Sequence, residues 1–294
     1  MHPAPSVILF STLSGAGFGL LFFLGIGAPD VIGWVAFVFY VIAYMLAVGG
    51  LFSAFFHLKN KRNAWKAYRE WRTSWLSREM WAAVAALLVM ALYAALQVFA
   101  GLRVAPVGWL GAALSLLTVF TTSMIYAQLR AVPRWNQPAT PATYIVAALA
   151  GGALLAGQVT PALWLLALLA ATVCFHWWSG DCRLAHSGTT AETATRLNGR
   201  VTLWERPHTG DNYLTREMVF RIARKHVVKL RVIALTLMSV LPIAVLLIGG
   251  PHHIPAALAV LSHLIGVGVQ RWLFFAEAEH VVGLYYGAHQ RRDA

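Results

Sequence analysis

His57 and Glu79 are the residues whose types and placement point most directly to chemistry. His57 closes an apolar run through Phe55-Phe56, and Glu79 heads the next one in Trp75-Leu76-Ser77-Arg78-Glu79-Met80. Ionisable side chains at or inside hydrocarbon are costly, so each is a candidate for function. An imidazole can hydrogen-bond the carbonyl of a quinone in the bilayer, and a carboxylate can carry its proton to or from water. Glu79 also has a plain structural reading. Ser77 makes a natural helix N-cap, and an acid two residues on complements the positive helix end. Both readings stand on sequence alone.

Three further histidines sit in or beside apolar runs: His176, His263 and His280. Paired histidines on neighbouring helices can ligate haem b. No two of these have a diagnostic spacing, so no haem is expected. Glu277 and Glu279 read as a solvated helix end rather than a proton path. Cys174 and Cys182 form neither a CxxC pair nor a disulfide framework, so no iron–sulfur cluster or zinc site is expected within the chain. The chain contains no Walker loop, GxGxxG turn or Ser/His/Asp set. Catalytic metal chemistry, if any, belongs to another chain.

The elements that must position these residues follow from hydropathy. Only 12% of the 294 residues are charged and 59% are hydrophobic, against roughly 25% charged in a soluble domain. The solvent for most of the surface is therefore lipid. A helical span takes about 20 apolar residues. Eight runs qualify, at about 6–27, 32–56, 80–102, 107–128, 142–158, 161–178, 230–249 and 254–276, predicting an all-α bundle of eight transmembrane helices in a single domain. Only Gln158-Val159-Thr160-Pro161 separates the fifth from the sixth, with Pro161 suited to a first helical turn. Met1-His2-Pro3 lacks a basic leader region, so the first run is expected to remain as a helix.

Charge orients this bundle. With eight spans, 22 of the 23 Lys and Arg fall on one face, and only Arg103 falls on the other. The positive-inside rule makes the crowded face cytoplasmic, with both termini on it and a large loop over about 180–229. This predicts a multi-pass protein of the bacterial inner membrane. Val219, Ala223, Val227 and Leu230 stripe a basic segment, predicting an interfacial amphipathic helix over about 212–229. The basic face can attract anionic lipid. It can also dock a cytoplasmic partner, through Lys59, Lys61, Arg62, Arg221, Arg224, Lys225 and Lys229. Nucleic acid is not expected, since no recognition module is present.

Short motifs in order along the chain carry a resemblance. The opening His2-Pro3-Ala4 and Thr12-Leu13-Ser14-Gly15-Ala16-Gly17, the pair His57-Leu58, and Ser77-Arg78-Glu79 are among them. So are Tyr126 with Val132-Pro133-Arg134-Trp135, and Arg271 with His280-Val281-Val282-Gly283. Together they resemble the membrane-anchor subunits of the DMSO reductase family of molybdoenzymes. The resemblance implies an anchor that holds an iron–sulfur subunit and a molybdopterin catalytic subunit on the membrane. The molybdopterin and [4Fe–4S] clusters would sit in those partners. It implies quinone exchange (ubiquinone or menaquinone), with His57 and Glu79 as the quinone-site histidine and acid, and Arg78, Tyr126 and His280 as further members.

The inferred cytoplasmic placement of the loops resembles anchors of cytoplasmic, quinone-reducing sulfite dehydrogenases. The expected role is the non-catalytic, quinone-binding subunit of such a complex, passing electrons from sulfite into the quinone pool. A rival within the family is the anchor of a DMSO-type terminal reductase that oxidises quinol. A rival from another class is a secondary transporter, against which the clustering of ionisable groups at one interface counts.

Overall fold

A computed structural model describes residues 2–56, 61–205, 209–210, 212–214, 218, 226–249 and 252–287. All regular structure among them is helical. Six long helices come first: α1 (Pro5–Gly25), α2 (Gly33–Phe55), α3 (Trp75–Phe99), α4 (Ala105–Ala127), α5 (Ala139–Leu155) and α6 (Val159–His186). A short α7 (Ala191–Thr195), then α8 (Val227–Gly249) and α9 (His253–Ala276) complete the set. Two 3-10 helices, Lys61–Glu70 and Val281–Tyr286, flank α3 and α9.

Seven of these are long and apolar enough to cross a membrane, and α5, with 17 residues, is shorter. Exposed indoles lie toward several helix ends, with Trp34 in the first turn of α2, Trp109 in the second turn of α4 and Trp178 about two turns before the end of α6. That is where an amphipathic ring sits best at a membrane boundary. The α5–α6 hairpin turns through Gly157 at φ +66°, a left-handed conformation that a residue with a Cβ adopts only under strain.

α1 is the central post, packed by α2, α4, α5 and α9. Lipid tails give helices little hydrophobic reason to associate, so close contact between small residues does the work. A methyl group at Gly17 would overlap the Ala47 backbone of α2, one at Gly19 the Ala148 carbonyl of α5, and one at Gly25 the Gly108 carbonyl of α4. Each glycine thus marks a crossing where two backbones nearly touch.

α8 contains a π-helical turn, Thr236–Val240, with a physical cause just beyond it. Pro242 has no N–H, so Met238 lacks its α-helical donor. The Leu241 N–H bonds back to Thr236 instead of Leu237. α9 takes up both loose carbonyls: Ser262 Oγ donates to Leu237 O at 2.7 Å, and His263 Nδ1 lies 2.8 Å from Met238 O. Gly266 lets the α9 backbone lie against Met238.

Candidate functional site

α3 begins at Trp75, a turn earlier than hydropathy places it, and this relocates Glu79. Ser74 is the N-cap, its hydroxyl accepting from Ser77 N–H at 3.5 Å. Ser77 is buried and donates to the Ala67 carbonyl instead, so the expected Ser77 cap is corrected. Glu79 consequently lies inside the helix rather than at its mouth, and is only 3% exposed. The capping account of Glu79 fails with it, because a carboxylate complementing a helix end need not be buried.

The partner of Glu79 is Thr122 of α4, whose Oγ1 lies 2.5 Å from Glu79 Oε1 and 2.9 Å from the Thr118 carbonyl. Thr122 belongs to a run, Thr118 through Ser123, whose hydroxyls mostly bond their own helix. Tyr126 follows one turn later. It is buried in an aromatic cluster, 5.9 Å from Tyr144 and 5.4 Å from Trp135 between ring centroids.

Arg271 of α9 is the most unusual member of this group. It is 2% exposed, and its guanidinium carbon lies 3.4 Å from the centre of the Tyr144 ring. A guanidinium on an aromatic face is attracted by the ring quadrupole. Its Nε and Nη1 nevertheless find no hydrogen-bond partner among the described residues, and neither does the Tyr144 hydroxyl or Thr12 Oγ1. A narrow cleft lined by Thr12, Thr122, Tyr144, His263 and Arg271 runs between α1, α4, α5 and α9. Its room is that of about one water. Glu79, Thr122, Tyr126, Tyr144 and Arg271 therefore form one buried polar group at the end of the bundle where α3 begins and α4 ends.

Other expected site residues fall elsewhere. Arg78 turns away from Glu79. It donates to the Trp71 and Arg72 carbonyls at 2.9 and 2.7 Å and stacks on Trp75, which braces the chain entering α3. His280 caps the 3-10 helix after α9, with Nδ1 accepting from Val282 N–H at 3.0 Å. Burial pushes its imidazole below the usual histidine pKa. His57 lies outside the described residues, as do Lys59, Arg221, Arg224 and Lys225 and most of the expected interfacial helix. Lys61 opens the first 3-10 helix, and Arg62 and Lys229 are exposed. His176 has Nε2 3.2 Å from Thr140 Oγ1, while His263 is held by Met238 as described, so each spends a ring nitrogen locally.

A second cluster went unread in the sequence. Glu277, expected to be solvated, is 7% exposed. Arg231 donates to it through Nε and Nη2 at 2.9 and 2.8 Å, and Arg134 through Nη1 at 2.8 Å. The same two arginines hold Asp181, Arg134 through Nη2 at 2.5 Å and Arg231 through Nη1 and Nη2 at 2.8 and 2.6 Å. Two guanidiniums and two carboxylates thus close a neutral ring that ties the α4–α5 loop, α6, α8 and the end of α9 together. Trp135 reinforces it by donating from Nε1 to Phe274 O at 2.8 Å and stacking on the Phe274 ring. The isolated acids in basic surroundings were the available signal. Each faces a choice between solvent and arginine, and hydropathy does not decide it.

Among the described residues, no three His, Cys, Asp or Glu side chains gather as a metal site. What the geometry offers is a carboxyl group buried near the start of a long apolar helix, hydroxyls beside it, and a buried cation behind them. Comparison with known proteins adds the context. The family described as DMSO reductase anchor subunit (DmsC) matches residues 1–287. A sulfite dehydrogenase subunit of Allochromatium vinosum is 32% identical, with 97% of this chain and 99% of that protein covered. No solved structure matches. With the family match running nearly end to end over a bundle of apolar helices, the chain belongs to the DMSO reductase anchor subunit family.

Proposed function

We propose that this membrane anchor exchanges electrons between an iron–sulfur partner and the quinone pool at the Glu79 end of the bundle. The observation that carries the reading is the burial of Glu79 beside Thr122. A carboxyl group at such a place costs stability and is therefore a candidate for function, and quinone chemistry needs a proton carrier at the membrane boundary. Tyr126 adds a phenol next to that carboxyl, and His57 adds an imidazole at the end of α2 by sequence. Arg78 and His280 play supporting parts, bracing the entry to α3 and the segment beyond α9. Quinone supplies the two-electron, two-proton chemistry. The chain's own residues bind it, orient it and move its protons.

The likeness to the Allochromatium vinosum sulfite dehydrogenase protein supports electron flow from sulfite into the pool, with a molybdopterin subunit and an iron–sulfur subunit as partners. Eight spans, both termini in the cytoplasm and location in the bacterial inner membrane complete the proposal. The one-sided basic charge supports the orientation. The test is Glu79→Gln in the assembled complex. Quinone-linked turnover should fall at least tenfold, while artificial dyes that bypass the membrane still drive the catalytic subunit. Unchanged quinone-linked turnover would remove Glu79 from the reaction. In wild-type membranes sulfite should reduce the endogenous quinone. Oxidation of quinol by DMSO, with no response to sulfite, would reverse the direction and leave the anchor role intact.

A further inference from the structure

We infer that the cleft between Thr12, Tyr144 and Arg271, behind the Glu79–Thr122 pair, is a binding site for one small anion of halide size. Arg271 Nε and Nη1 can only donate, and both are buried without a partner among the described residues. The Tyr144 hydroxyl and Thr12 Oγ1 line the same cleft, are equally buried and equally unmatched. Most buried polar groups in folded proteins are matched, and four of the seven unmatched side-chain atoms among the described residues belong to residues lining this one cleft, which points to a ligand that accepts hydrogen bonds.

Charge selects the class of that ligand. A guanidinium keeps its proton in any protein environment, so Arg271 cannot shed its charge as a buried lysine would. Its ring partner, Tyr144, covers one face only. Arg134 and Arg231 behave differently: each holds two carboxylates. Among the described residues no carboxylate lies within ion-pair distance of Arg271. An uncompensated charge in low dielectric is strongly disfavoured, and an anion in the cleft removes that penalty where a water would not.

Size completes the assignment. Room for about one water is too little for a phosphate, a carboxylate or a quinone ring, and a single-atom halide is the anion that asks the least widening of the cleft. Thr122 walls one side of the cleft but is engaged with Glu79 and Thr118, so the anion is held by α1, α5 and α9 rather than by the Glu79 pair.

The experiment compares the full-length chain in lipid nanodiscs in chloride, bromide and gluconate at fixed ionic strength, which holds screening of the basic face constant. Chloride and bromide should raise the melting temperature saturably with a single-site dependence, and gluconate should not. X-ray absorption at the bromine edge should report one dehydrated bromide with light-atom neighbours. Arg271→Gln should abolish both signals. Because that variant risks misfolding, Tyr144→Phe and Thr12→Val provide the second arm, each weakening the halide severalfold in a folded protein. Identical melting in the three salts, with only hydrated bromide in the absorption spectrum, would overturn the site and assign the cleft to water.

Discussion

Thr122 and Glu79 share one hydroxyl hydrogen among three oxygens. Thr122 Oγ1 is within bonding distance of both Glu79 Oε1 and the Thr118 carbonyl, at 2.5 and 2.9 Å. A hydroxyl has a single proton to give. Both contacts are satisfied together when Glu79 carries a proton and donates it to Thr122, which then donates to Thr118. When Glu79 is ionised, Thr122 must release Thr118 to serve it. The threonine is thus a two-position rotor beside the carboxyl group, and it gives the first prediction. Thr122→Val keeps the shape and removes the hydroxyl, leaving the buried carboxyl unmatched at a cost of about 1–3 kcal/mol. The melting temperature should fall and quinone-linked turnover should drop, with Thr122→Ser restoring most of both. A Val variant indistinguishable from wild type in both assays would remove the pair from the mechanism.

The ion ring predicts an order of effects. Glu277→Gln leaves two arginines sharing the more exposed Asp181, and loss of a buried partner costs about 3 kcal/mol. Asp181 has a side-chain exposure of 45%, so its pairs are screened and Asp181→Asn should cost about 1 kcal/mol or less. Unfolding in mixed micelles measures both. Equal losses would mean that the ring does not close as described.

Helix crossings give a paired test. Gly19→Ala drives a methyl group into the α5 backbone, and overpacking typically costs about 1–3 kcal/mol. Gly49→Ala faces open space on α2 and should gain a few tenths to about 1 kcal/mol through helix propensity. Opposite signs in thermal unfolding are expected, and loss of stability in both would place α2 differently.

Orientation is tested by reporters fused after Arg62, near Thr189 and at the C-terminus, all of which should read cytoplasmic. A periplasmic signal near Thr189 would overturn the span count and the partner side together.

Docking is expected to be collective. Exposed ion pairs contribute about 0–1 kcal/mol each, so single neutralisations should do little. Neutralising Arg221, Arg224, Lys225 and Lys229 together should release the iron–sulfur partner from washed membranes. Retention of the partner in the quadruple variant would move the docking surface elsewhere. Arg134 and Arg231 belong to the neutral ring, and their charge is not available for docking.

Hydropathy made the apolar helices legible because lipid demands long uninterrupted runs, and the same rule drew attention to Glu79 at a boundary. It did not show which way Glu79 faces. A three-residue difference between Ser74 and Ser77 as cap decides whether the acid sits at the helix mouth or within the protein. Thr122 was hidden because threonines in apolar helices usually bond their own backbone, as Thr118 and Thr121 do. Arg271 stood out only through its motif, since its tyrosine and threonine neighbours lie more than a hundred residues away in the chain. Glu277 was misread because a neutral ring assembled from four segments leaves no local pattern. Pairing over such separations is a property of packing, not of spacing.

The π turn in α8 gives that helix one residue of slack. A plain α-helix advances about 100° per residue, so removing one residue from α8 ordinarily swings everything beyond it by that angle. Arg231 would then leave Glu277 and Asp181. Within 236–240 the arithmetic differs. The wide turn already holds a surplus residue, and its deletion tightens the coil to normal pitch while both ends keep their facing. Such a shortened chain would retain its arginine clamp but lose one of the two carbonyls that Ser262 and His263 grip, the one opposite Pro242 staying free. The surplus residue therefore sets how firmly α8 is hooked to α9, independently of where its charged end points.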